Sequence, residues 1–360
     1  MGSVTVRAPG REYPVLIGQG ALSALATWVA ALTPSRVALV TDSTVWPCWG
    51  EGAAQALTGA GIDVAVHQLP AGEEAKSFAQ LQQVLAFLER EHIDRRGVVV
   101  AVGGGTVGDV AGFAAAIWLR GVQWVGVPTT LLAMVDSSIG GKTGINTQET
   151  KNGVGAFWQP AAVVSDLVTL STLPDGELTS AFGEIVKYGV AMDAHLAERL
   201  LRDAARLRSR DDWTLEQVVD RCVELKAGVI AADERDAGGR AILNYGHTVG
   251  HAIEAASGYQ ATHGRAVAQG MRVAARLAVT QGLCEPKVMT EQQALLDAYQ
   301  LPGPLPPVTA DQVLAALPRD KKAQGGNIGW VLPRRLGRSQ VGVTVPPDVV
   351  ERCVREEFAG

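Results

Sequence analysis

Residues 97–130 read "GVVVAVGGGTVGDVAGFAAAIWLRGVQWVGVPTT". From 97 to 104 the run is apolar and β-branched, the composition of a strand buried on both faces. Three consecutive glycines break it, an alanine-rich helical stretch follows, and a second β-branched run occupies 122–130. Between Arg96 and Arg120 only Asp109 carries a charge, so hydropathy alone could take the span for a membrane helix. The glycines argue against that. A strand, a glycine turn and a buried helix account for the stretch, and a strand reached through a crossover helix runs parallel to the first.

The alternation extends outward in both directions. "RVALVTD" (36–42), "IDVAVHQLP" (62–70) and "AAVVSD" (161–166) read as further strands, with helices reaching to about Ala60 and over 77–92. Such alternation implies a parallel sheet with helices on both faces, and ligands bind beyond the carboxyl ends of its strands. Past about Leu170 helical periodicity dominates, at roughly 176–208, 214–233, 244–257, 264–282 and 287–299, with a β-hairpin expected within 327–346. The expected fold class is α/β plus all-α: an N-terminal parallel-sheet domain over 1–170 and a mainly helical domain over 171–360.

Composition narrows the function. The 360 residues are 47% hydrophobic and 19% charged, enough for two globular cores. A net charge of -5, with no dense Lys/Arg run, speaks against nucleic acid. Cys48, Cys222, Cys284 and Cys353 form no CxxC and read as buried thiols of a reducing compartment. The first residues lack a basic segment followed by an apolar run, so a soluble cytoplasmic protein without membrane partners is expected.

Several polar groups stand out against this background. "GGGTVGD" is not the GxGxxG fingerprint, yet glycines between strand and helix let backbone N–H groups approach a phosphate. A tight packing turn is the structural alternative; Asp109, an acid in so apolar a span, favours a ligand or a partner. "DSSIGGKTGIN" (136–146) gathers Asp136, Ser137, Ser138, Lys142 and Thr143 around glycines, a set suited to phosphate, although surface loops are also polar. Lys151 and Asn152 follow. In "SAFGEIVKYGV" (180–190) Glu184 and Lys187 share a helix face among apolar neighbours, and a buried carboxylate needs a cation or a metal. Lys226, Arg240 and Asn244 lead into "NYGHTVGHAIE", where His247 and His251 stand four apart as in HExxH zinc sites, without that motif's glutamate. Spacing alone would pair these two histidines as ligands and leave His263 over, but it cannot identify which two hold a metal.

At these residues the chain resembles the sugar phosphate cyclase family, in its 3-dehydroquinate synthase branch. The matching stretches are "GEEAKS", "GGGTVGDVAGF", "LRGVQWVGVPTTLLAMVDSSIGGKTGIN", "KNGVGAFWQP", "GEIVKYG", "LKAGVIAADERD", "NYGHTVGHAIE", "HGRAVAQGM" and "DKK", in family order across 72–322. The resemblance implies an NAD-binding α/β domain, a helical metal- and substrate-binding domain, and an active site in the cleft between them. It assigns one divalent metal, zinc or cobalt, to Glu184, His247 and His263, against the spacing-based pair, and frees His251 for substrate. NAD contacts carry over to Asp42, Glu73, Lys76, Gly104, Gly105, Thr106, Val107, Gly108, Asp109, Thr129, Thr130, Lys142, Lys151 and the "TLST" segment Thr169, Leu170, Ser171, Thr172. Substrate contacts carry over to Asp136, Lys142, Asn152, Lys187, Lys226, Arg240, Asn244, His251 and Lys321. Arg120 matches an arginine that reaches the neighbouring subunit's site, which implies a homodimer. Gly153 and Tyr245 depart from the larger apolar residue and the phenylalanine common in relatives.

The implied reaction converts 3-deoxy-D-arabino-heptulosonate 7-phosphate into 3-dehydroquinate and phosphate, a shikimate-pathway step. It proceeds by transient oxidation at C5, β-elimination of phosphate, re-reduction and intramolecular aldol closure. Sister cyclases act on sedoheptulose 7-phosphate or glucose 6-phosphate, which carry no carboxylate. Lys226, Arg240 and Asn244 are all present here, a set altered in valiolone-type cyclases. A metal-dependent polyol dehydrogenase of the same fold is the third reading, and it would release NADH.

Overall fold

The computed structural model describes residues 2–148, 150–236, 238–317 and 328–359. Lys321 and the rest of "DKK" lie outside the described residues. The chain divides into two compact units, Met1–Leu173 with Leu215–Arg235, and Pro174–Thr214 with Asp236–Gly360. One division falls between Leu173 and Pro174, and the segment Leu215–Arg235 is compact with the first unit.

The first unit is built on nine strands: β1 (Gly2–Ala8), β2 (Arg11–Gly18), β3 (Val37–Asp42), β4 (Val64–Leu69), β5 (Val98–Gly103), β6 (Gln123–Pro128), β7 (Lys142–Ile145), β8 (Val154–Phe157) and β9 (Ala162–Asp166). Seven of them form one sheet in the order β1-β2-β9-β6-β5-β3-β4, while β7 and β8 pair separately as an antiparallel ribbon. All pairings in the seven-stranded sheet are parallel except that of β1 with β2. The opening stretch supplies its centre: β5 is buried along its whole length and pairs with β6 from Val98↔Gln123 to Gly103↔Pro128. Helices α1 (Leu25–Ala31), α2 (Glu51–Gly59), α3 (Phe78–Arg90) and α4 (Gly105–Ile117) belong to this unit. The apolar core is in two parts: one places Val84, Phe87, Val110 and Phe113 against Val99 and Ala101, the other Leu25, Val29 and Leu57 against Val98 and Val100. Successive strand residues point to opposite faces, so the sheet is covered on both.

The second unit is mostly helical. It holds α5 (Asp175–Met192), α6 (Ala194–Arg202), α7 (Ala204–Arg208), then, after α8 (Asp212–Ala232), which lies mainly in the first unit, α9 (His247–Ala256), α10 (His263–Thr280), α11 (Pro286–Ala298), α12 (Ala310–Ala316) and α13 (Pro347–Glu357). Strands β10 (Trp330–Arg335) and β11 (Arg338–Val343) form the expected hairpin. The long helix expected over 176–208 is three helices. Asp193 takes an extended backbone (φ -148, ψ 102) and its carboxylate caps α6 through His195 N at 3.0 Å and Leu196 N at 3.3 Å. No helix among the described residues is long and apolar enough to cross a membrane. None of the four cysteines is in a disulfide; Cys222 and Cys353 are buried, but Cys48 is exposed, contrary to expectation.

Candidate active site

In the first unit, β5 delivers the chain to Gly104, and no side chain caps the N-terminus of α4. The glycines permit close approach. A Cβ on Gly105 would lie 2.7 Å from Ser137 Oγ, and one on Gly104 3.1 Å from Thr130. The Ser137 hydroxyl is buried with no hydrogen-bond partner, beside a helix end whose first amides point outward. Gly104, Gly105, Asp109, Ser137 and Lys142 line one pocket. An uncapped helix N-terminus, an unsatisfied hydroxyl and a lysine fit the diphosphate of a dinucleotide.

Thr106, Val107 and Gly108 complete the first turn of α4, and Thr129 and Thr130 follow β6. Asp109 finds its partner in Lys76, whose ammonium lies 2.7 Å from Oδ2 and also donates to Asn152 Oδ1. Burial still holds the Asp109 carboxyl above its ordinary pKa, against the pull of Lys76. Glu73 accepts from Asn146 Nδ2 at 2.8 Å, and Lys151 sits in the turn beside Asn152, itself at φ 51. Asp42, at the end of β3, accepts from Thr44 N and Val45 N at 2.8 Å, so it shapes its own loop. Thr169, Leu170, Ser171 and Thr172 lie in a 3-10 segment after β9, with Thr172 Oγ1 accepting from Trp49 Nε1. On α8, Lys226 is 5% exposed and donates to both Oδ1 and the carbonyl oxygen of Asp136, each at 2.6 Å. Arg120 is exposed, and it (φ 70) and the preceding Leu119 (φ 48) are both in the left-handed region.

The second unit brings together residues 79 positions apart in sequence. Glu184 on α5 is fully buried; its Oε2 pairs with Lys187 one turn on. Its Oε1 has no hydrogen-bond partner and lies 3.4 Å from His247 Nε2 and 3.4 Å from His263 Nε2. These three ligand atoms lie within 4.8 Å of one another. The histidines open successive helices, α9 and α10, and the crossings that bring them to Glu184 are made of glycine. A Cβ on Gly183 would meet Gly264 O at 2.2 Å, and one on Gly264 would meet Ser180 O at 1.7 Å. Gly270 does the same for α9, where a Cβ would lie 1.9 Å from Gly246 O.

Electrostatics follow from burial. It would raise the Glu184 carboxyl, but Lys187 and then His247 hold it well below the usual carboxylate range. Burial pushes His247 down to about 3, whereas the Glu184 and Glu254 carboxylates overcome burial at His263 and lift it to about 10. His247 Nδ1 lies 3.2 Å from the carbonyl oxygen of Tyr245, an acceptor only, so that nitrogen carries the hydrogen and Nε2 keeps its lone pair. An unsatisfied buried carboxylate oxygen facing two imidazole nitrogens fits a divalent cation, and one carboxylate with two histidines leaves coordination open for substrate. His251 does not join this set. It groups instead with Glu254 and the same His263. Arg240 is 3% exposed, and Asn244 Nδ2 donates to Ala241 O at 3.2 Å. Sequence reasoning passed over Glu254, buried at 2% behind His263; the only signal was an acid inside "HAIEAA".

The comparisons with known proteins agree with this architecture. A solved 2-deoxy-scyllo-inosose synthase, in complex with carbaglucose-6-phosphate, NAD+ and Co2+, superposes at TM-score 0.92 with 26% identity, over 99% of this chain and 100% of that one. A 2-epi-5-epi-valiolone synthase from Streptomyces hygroscopicus, with NAD+ and Zn2+ bound, gives 0.87 and 27% over 96% of each. Fold and site thus define a sugar phosphate cyclase. Family models for the N-terminal and C-terminal parts of 3-dehydroquinate synthase match residues 66–180 and 181–323. The 3-dehydroquinate synthase of Symbiobacterium thermophilum is 45% identical over 343 residues, 94% of this chain and 96% of its own. The chain belongs to the 3-dehydroquinate synthase family.

Proposed function

We propose that the protein converts 3-deoxy-D-arabino-heptulosonate 7-phosphate to 3-dehydroquinate and phosphate, as a phosphate-eliminating lyase. The observation that carries the reading is Glu184: a fully buried carboxylate with one oxygen on Lys187 and the other facing His247 and His263, in a chain that keeps Lys226, Arg240 and Asn244 for a carboxylate-bearing substrate.

When bound, NAD supplies reversible hydride transfer at C5 and the metal, zinc or cobalt, supplies Lewis acidity at the neighbouring oxygens. The chain's residues do the rest. Glu184, His247 and His263 hold the metal; the α4 N-terminus, Asp109 and Lys76 hold the dinucleotide. Lys142 and Asn152 bind phosphate-side oxygens, with His251 near the departing phosphate, and their charge and hydrogen bonds favour its elimination once C6 is acidified. Lys226 and Arg240 orient the carboxylate, and Lys187 stands by the oxygen on which negative charge develops. Lys321 is a further substrate contact. A homodimer in which Arg120 serves the partner's site, a cytoplasmic location matching four cysteines outside any disulfide, and an NAD-binding domain over 1–170 joined to a metal- and substrate-binding domain over 171–360 complete the proposal.

The test is phosphate release from the seven-carbon keto-acid phosphate with catalytic NAD and added zinc or cobalt, run alongside EDTA. Metal-dependent release with dehydroquinate formed and no net NADH is expected. Turnover of sedoheptulose 7-phosphate or glucose 6-phosphate instead would move the protein to a sister cyclase, and accumulating NADH would make it a dehydrogenase.

A further inference from the structure

His263 has two ring nitrogens and the structure uses both. Nε2 lies 3.4 Å from Glu184 Oε1, while Nδ1 lies 3.4 Å from Oε1 of Glu254, on the third turn of α9. Glu254 is 2% exposed and shares its face of α9 with His251 and the buried Gly250, one turn back. Nothing about helix stability calls for a carboxylate there, since burying one costs several kcal/mol unless a charged or donor group meets it. His247 is held differently: its outer nitrogen faces the Tyr245 carbonyl oxygen at 3.2 Å. Each imidazole therefore has one nitrogen toward Glu184 and the other toward an acceptor, but only His263 has a charged one.

We infer that Glu254 is a positioning residue for the metal centre: it accepts the Nδ1 hydrogen of His263, fixes that ring's tautomer and orientation, and raises the basicity of Nε2. The inference rests on the metal role proposed above for Glu184, His247 and His263. One rival use of the same atoms exists, because His251, Glu254 and His263 also bring ligand atoms within 4.8 Å of one another. A second cation there would need the Nδ1 lone pair while Nε2 holds the first. His263 would then lose both ring hydrogens and bridge two cations as an imidazolate. A carboxylate accepting the hydrogen asks for no such step, and outer carboxylates on metal-bound histidines are the usual arrangement.

The experiment loads metal-free full-length protein with Co2+ and compares the parent with Glu254→Gln and Glu254→Asp. Competition against a chelator gives affinity, the visible cobalt spectrum reports the ligand field, and thermal unfolding without metal reports the fold. The Gln variant is expected to bind Co2+ about 10–100-fold more weakly, with an altered spectrum and the parent's metal-free melting temperature. Asp, which keeps the charge on a shorter stem, recovers part of the affinity. Should Gln fail to fold, Asp against the parent carries the same comparison, with a measurable loss still required. Parent-like affinity and spectrum in the variants would overturn the inference. So would two cobalt equivalents in the parent falling to one in Glu254→Gln, which would make Glu254 a ligand. Failure of the functional reading looks different: the parent would bind cobalt normally and leave the keto-acid phosphate untouched.

Discussion

Lys76 is 5% exposed, and its ammonium serves both Asp109 and Asn152. Removing it by Lys76→Met leaves the Asp109 carboxylate enclosed without its cation, and breaking such a pair costs about 3 kcal/mol or somewhat more. The Asp109 pKa is already raised by burial, so loss of Lys76 raises it further. The deficit is therefore full above that pKa and shrinks as pH falls through it, because a protonated carboxyl no longer needs the ammonium. Urea unfolding of parent and variant across pH checks this; a deficit that does not vary with pH would exclude the electrostatic account. The histidines teach a related lesson at the same scale. His247 and His251 share a helix face, and from spacing alone they look like the metal pair. The structure faces His247 and His263 to Glu184 instead, with His251 turned toward Glu254. Which nitrogen meets which oxygen is decided by α5 and α10, which no local pattern on α9 can reveal. That part of the site was legible only through the resemblance of whole motifs.

Helices cross at the candidate metal centre because glycine lets them. Gly264→Ala would set a Cβ 1.7 Å from Ser180 O, an impossible contact that must push α10 off α5 and carry His263 away from Glu184. A loss of about 1–3 kcal/mol in stability is expected, together with weaker zinc binding. Calorimetry with and without zinc would show both, and a parent-like result in each would refute this view of the crossing. Helix α8 carries a different load. Asp220 is half-buried against Gly2 of β1, between Glu216 and Glu224, and burial followed by these two acids lifts its pKa to about 6. Its folded value exceeds the unfolded one, so the ionised form is the costly one: the penalty is absent below the unfolded value and complete above about 6. Asp220→Asn should accordingly stabilise the protein at pH 8 and do nothing at pH 3, below the unfolded value. Solvent screening of a half-exposed group limits the gain to about 1 kcal/mol. Central parallel strands such as β5 announce themselves as unbroken β-branched runs. β1 and β2 went unread because "PGREYP" has loop composition; Pro14 is tolerated because the ladder of β2 with β9 begins only at Val15. The break at Asp193 was hidden because apolar periodicity continues across it while its carboxylate restarts the helix.

For the molecule as a whole, the open question is whether the working site belongs to one chain. Leu119 and Arg120 both adopt left-handed backbone, and such conformations cost about 1–3 kcal/mol each, so they persist only where the surroundings hold them. They place an arginine on the exterior of its unit, where a lysine-like solubilising role would need no strained turn. If Arg120 serves the partner's site, Arg120→Ala and Lys187→Ala proteins should each be inactive, yet activity should return when they are mixed and allowed to exchange subunits. In the mixed dimer, the site of the Arg120→Ala chain keeps its own Lys187 and borrows Arg120 from its partner, while the other site lacks both. With half of all dimers mixed and one working site in each, recovery should approach about a quarter of the parent activity. An Arg120 that acts within its own chain leaves every site in the mixture with one defect, and mixing then recovers nothing. The assay thus separates an arginine shared across the assembly from one that stabilises its own turn, which no property of a single chain can do.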